Sequence, residues 1–120
     1  MGTPHRRHLQ AALIAAALFC GPLDRAEAYD CSQSRYDSAH KRMDLAFRTG
    51  VLSNDPRPPL SVFISERFWT SITFQQKQEF ADALVCAVAG PGKGLSNLNL
   101  RSDMTGKIIG DWSWGKLTVP

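Results

Sequence analysis

The sequence is short of the side chains that carry most chemistry near neutral pH. It holds three histidines and three cysteines in 120 residues, and His5, His8 and Cys20 all fall within its first 28 positions. That leaves His40 as the single histidine beyond them, between Ala39 and the cations Lys41 and Arg42. One imidazole on a charged helical face is the pattern of a solvated surface residue, and a metal centre needs clustered ligands that this chain does not offer. No cofactor and no metal are therefore expected. Charge of one sign is also missing. Fourteen Lys plus Arg stand against 11 Asp plus Glu, a net charge of +3, with the two signs interspersed. Nucleic acid wants a clustered basic face, so it is excluded as a partner. Long apolar runs are absent too: Ala11 to Phe19 supplies about half of the roughly 20 residues that span a bilayer.

What is present begins with an address. His5, Arg6, Arg7 and His8 form a basic start, Ala11 to Phe19 an apolar stretch, and Ala26-Glu27-Ala28 a small-residue ending. These are the three zones of an export signal, with cleavage expected after Ala28. Phe19 sits where a lipoprotein signal before Cys20 would need a small residue, so lipidation is not expected, and the short apolar stretch followed by Pro22, Asp24 and Arg25 argues against a retained membrane anchor. Residues 29–120 then form one small α+β domain in the bacterial periplasm or outside the cell.

In an oxidising compartment Cys31 and Cys86 are expected to couple. Neither has the Cys-x-x-Cys spacing of a redox-active pair, so the bond is structural. Tyr36, Ala39, Met43, Ala46 and Phe47 recur at spacings of three and four and predict a helix from Ser32 to Arg48, stopped by Gly50. Asn54-Asp55-Pro56-Arg57-Pro58-Pro59 predicts a stiff connector, because proline lacks an amide donor. Leu60, Val62 and Ile64 alternate with Ser61 and Ser65 in a strand with one buried face.

Glu66 to Ile72 predicts one helical turn that plugs the core with Phe68, Trp69 and Ile72. Thr73 and Gln76 form a capping box that opens a second helix, running to Ala89. Phe80, Ala81, Leu84, Val85 and Val88 give that helix an apolar face, while Lys77, Glu79 and Asp82 are assigned to water. Gly90-Pro91-Gly92 ends it. Leu95–Ser102 and Lys107–Thr118 form a hairpin turned through Asp103-Met104-Thr105-Gly106. The predicted architecture is two helices on a short, mostly antiparallel three-stranded sheet, in the order α-β-α-β-β, with one disulfide.

The chemistry inventory yields no catalytic residue. No serine lies in a Gly-x-Ser-x-Gly elbow, and the glycine-rich run from Gly90 to Ser96 follows a helix where a phosphate loop would follow a strand. Asp103 and Asp111 flank the terminal hairpin and are the least ordinary carboxylates. The best candidate binding residues are Trp112 and Trp114, which share a strand face at i and i+2, with Trp69 as companion. The same spacing describes two core residues under the helices, and a domain with few other large side chains favours core.

Phe68-Trp69-x-x-Ile72-Thr73-x-x-Gln76-Lys77, with Asp103-Met104-Thr105-Gly106-Lys107 after it, resembles segments of small exported bacterial proteins of uncharacterised function. The resemblance covers about the second half of the chain beyond the leader. It implies export and a compact α+β structure and carries no active site.

These readings lead to an exported, disulfide-stapled, non-enzymatic accessory or binding protein of the bacterial cell envelope, whose partner is another envelope protein or a glycan. One alternative is a small carboxylate-dependent hydrolase acting on cell-wall or glycan material. The other is a secreted toxin or inhibitor that binds another protein.

Overall fold

The computed structural model describes residues 29–58 and 60–120, so the leader predicted for residues 1–28 lies outside the described residues. Helix α1, Gln33–Arg48, starts where Ser32 accepts a hydrogen bond from the Arg35 amide, relieving one of the free donors of the first turn. Thr49 caps its end and Gly50, at φ 80°, turns the chain out of it. Strand β1, Leu52–Asp55, follows at once, and the proline connector carries the chain into β2, Ser61–Ile64. Ser65 caps the short helix α2, Glu66–Ser71. The predicted capping box then opens α3, Phe74–Ala89: Gln76 N–H donates to Thr73 Oγ1 and Thr73 N–H to Gln76 Oε1. Strands β3 (Asn97–Ser102), β4 (Ile108–Ser113) and β5 (Lys116–Thr118) complete the chain.

The sheet has five strands in chain order, antiparallel throughout except for the parallel pairing of β2 with β3. That parallel pair is joined through α2 and α3, as a crossover requires. The fold class is α+β as predicted, but the three-stranded sheet is corrected to five strands and the two helices to three, because the predicted turn at Glu66–Ser71 is a helix of its own. β1 was hidden because Leu52 is its one fully buried residue and the rest of it, Ser53, Asn54 and Asp55, is polar. The single arm expected over Lys107–Thr118 is two strands, because Trp114-Gly115 reverses the chain between Ser113 and Lys116.

One face of the sheet carries Leu52, Val62, Ile64, Leu98, Leu100, Trp112 and Leu117, packed with Met43 and Ala46 of α1 and Phe80, Ala81, Leu84 and Val85 of α3. Each fully buried leucine there contributes about 2 kcal/mol of transfer free energy. The disulfide Cys31–Cys86 forms, with Cα atoms 5.4 Å apart, and ties the approach to α1 to the last turns of α3. Three expectations at the edge of this core are corrected. Leu60 is 44% exposed, because pairing in β2 begins one residue later at Ser61. Val88 and Phe47 are also exposed, since both helices are apolar over a wider arc than their contacts cover.

The opposite face is polar. Asp55, Ser61, Asn99, Asp111 and Thr118 follow one another across all five strands. Ser61 Oγ donates to Asp55, and Arg57 grips the same carboxylate at 2.9 and 3.1 Å. The Arg57 guanidinium and the Ser61 hydroxyl hold the Asp55 carboxyl well below the usual carboxylate range. Arg101 adds a second cation, 3.6 Å from Asp55. Phe63, left unplaced by the alternation, lies on this face under Arg57, whose guanidinium carbon is 5.2 Å from the ring centroid.

Candidate functional site

The three tryptophans separate. Trp69 on α2 is 3% exposed and donates its indole N–H to the Ile109 carbonyl at 3.1 Å, with Gly110 against its ring. It is a core residue. Trp112 is 1% exposed, sits in the same core and donates to Asp82 Oδ1 at 2.8 Å. Asp82 is thereby corrected from a water-facing residue to a half-buried acceptor, which also takes a hydrogen bond from Gln78. Burial pushes its pKa up, with Glu79 adding to the rise while the two hydrogen bonds and Arg35 oppose it.

Trp114 is the opposite case. It is 83% exposed, against the expectation that it shares the core with Trp112. The i, i+2 rule assumes an unbroken strand, and the strand ends at Ser113. Trp114 and Gly115 form a two-residue hairpin loop with φ of 50° and 87°. Loops of this kind need positive φ at both centres and favour Asn-Gly or Asp-Gly there. Gly115 meets that need without cost, whereas a bulky side chain at positive φ stores about 1–2 kcal/mol. The loop is braced from behind: Gln78 accepts the Leu117 amide at 2.9 Å and donates to the Gly115 carbonyl at 3.4 Å.

Trp114 stands on an open cleft of about 800 Å³, lined also by Tyr29, Asp30, Lys93, Gly94, Ser96 and Lys116. The edge of Trp112 reaches it as well, so the structure does bring Trp112 and Trp114 to one place, though not as a paired platform. One wall is a strap, Tyr29 to Cys31. Tyr29 lies edge-on to Trp112 with centroids 5.2 Å apart and donates its hydroxyl to the Lys93 carbonyl at 2.9 Å. Burial, aided by Asp82 and Asp30, pushes the phenol up, so it stays a donor. A Cβ on Gly94 or Gly115 would sit 3.3 Å from Tyr29, and the Gly92 amide donates to the Cys31 carbonyl. Sequence reasoning missed this wall, because Tyr29 carries no motif and its partners lie in three distant segments.

Among the described residues Asp30 is the single carboxylate lining the cleft. Asp103 is elsewhere, accepting the Glu66 amide at the mouth of α2. Asp111 lies on the polar sheet face, accepting from Asn97 at 2.7 Å and Ser113 at 3.2 Å. His40 is exposed beside Tyr36. Among the described residues no group of three His, Cys, Asp or Glu is placed to hold a metal ion, and no helix is long and apolar enough to cross a membrane. No family model, curated protein or solved structure matches the chain.

Proposed function

We propose that this protein is an exported, non-enzymatic binding module of the bacterial cell envelope, periplasmic or secreted, that takes a glycan in the cleft beside Trp114. The observation that carries this reading is a large aromatic side chain held almost fully exposed, at positive φ, over a lined cleft. Strained residues at clefts mark functional positions. A single indole within a surround of lysine, serine and glycine also matches the two-sided chemistry of a sugar, whose ring faces are C–H and whose edges are hydroxyl.

Glycan cleavage would need two carboxylates facing each other across the substrate, and among the described residues Asp30 alone lines the cleft. That favours binding over hydrolysis. The Cys31–Cys86 bond is consistent with an oxidising compartment.

Titration of the oxidised protein with soluble cell-wall and capsule-type oligosaccharides, read by tryptophan fluorescence, tests the proposal. Trp114 is the exposed indole of three, so a bound sugar shifts its emission, and in Trp114→Ala, which lacks that reporter, calorimetry reads the loss of binding. Unchanged binding by that variant, or no response to any glycan, rejects the reading.

A further inference from the structure

The cleft has a sign. Lys93 and Lys116 both line it, and among the described residues neither ammonium makes an ion pair. Among the described residues the one opposing charge on the lining, Asp30, lies 4.0 Å from the Arg35 guanidinium. We infer that the ligand is an acidic saccharide, its ring stacked on Trp114 and its carboxylate held between Lys93 and Lys116. This rests on the glycan-binding reading of the same cleft.

The charges decide between ligand classes that an exposed indole alone would admit. A quaternary ammonium or other cation would favour the indole face but meet two like charges at close range. A nucleic-acid strand also stacks on aromatics, yet needs a track of cations along its backbone, and this cleft offers two. A neutral sugar would use both lysines only as hydrogen-bond donors and leave their two charges unmatched. Lysine suits a carboxylate carried on a ring whose position the stacking contact already sets, because its flexible stem follows the charge without demanding the paired geometry of arginine.

Oligogalacturonate and its fully methyl-esterified form share one ring skeleton and differ in charge, so the pair isolates the inference. Titrated into the oxidised protein at low salt, the acid is expected to bind about tenfold tighter than the ester, roughly threefold for each lysine. Lys93→Ala with Lys116→Ala should abolish the difference in affinity between the acid and the ester. Both side chains are exposed, and near-UV circular dichroism verifies the fold of the variant. Equal affinity for acid and ester, lost on Trp114→Ala, overturns the inference and leaves glycan binding standing. No response to the acid, the ester or a neutral chito-oligosaccharide overturns both.

Discussion

The indole N–H of Trp112 reaches Asp82 Oδ1 at 2.8 Å, joining the C-terminal end of β4 to α3. The bond explains how an aspartate on a helix that packs against a sheet is held half-buried, and it fixes the sign of a pH effect. Asp82 has a folded pKa above its ordinary 3.8, so its contribution to stability is complete below that value and is lost as pH rises through the raised one.

Asp82→Asn keeps an acceptor for Trp112 and cannot ionise. The variant should match or exceed the parent protein at neutral pH and lose any advantage near about pH 3, as read by urea unfolding across that range. Asp55 acts in the opposite sense. Its lowered pKa gives stability that is present above the ordinary carboxylate value and fades only in strong acid, so it leaves the comparison at higher pH untouched. A variant that is worse at neutral pH than in acid would contradict the Asp82 assignment.

Gly110 is tightly enclosed. A Cβ there would stand 3.0 Å from Trp69 Cζ2 and 3.1 Å from Leu100 Cδ1, both in the buried core. Gly110→Ala should therefore cost about 1–3 kcal/mol through overpacking and disturb the near-UV signal of Trp69. Unfolding at the parent midpoint would show that β4 can slide away from α2.

Residues that act through local chemistry were legible before the structure. Thr73 and Gln76 cap α3, Gly106 takes the positive φ of the β3–β4 turn, and Cys31 meets Cys86, each following from a rule that spans few residues or a forced pairing. Leu52 and Trp114 were not legible, for two different reasons. β1 is held by main-chain pairing with β2, which leaves no alternation in Leu52-Ser53-Asn54-Asp55 to read. At Trp114 the side chain conflicts with the local rule, since a Trp-Gly hairpin loop goes against turn preference, and such conflicts arise where function overrides propensity. The cleft itself was invisible because Tyr29, Lys93 and Gly115 meet only once the disulfide and the β4–β5 loop are both in place.

The strap from Tyr29 to Cys31 depends on that disulfide. Replacing both cysteines with alanine opens a loop of 55 residues in the unfolded chain and should lower stability by about 4 kcal/mol. It should also free Tyr29 from Trp112 and weaken oligosaccharide binding at temperatures where the protein is still folded. Full binding by a folded double variant would show that hydrogen bonds alone hold the wall. Two thiols open to alkylation in protein recovered without reductant would show that the bond does not form in the cell.

On the proposed glycan-binding reading, Trp114 sets stability against binding in a way that a pair of variants can resolve. Asparagine tolerates positive φ and is favoured at this loop position, so Trp114→Asn relieves the strain at φ 50° while removing the indole. Alanine also removes the indole but keeps a Cβ with no local compensation at positive φ. Both variants should lose the ligand response, and the asparagine variant should be the more stable by about 1 kcal/mol, a rise of several degrees in melting temperature. If tryptophan were present only to pack the loop, the asparagine variant would lose stability too, because its own contacts would be gone. A stabilised protein that no longer binds is the outcome expected of a residue kept for its ligand, and equal melting temperatures for the two variants would remove strain from the account of this site.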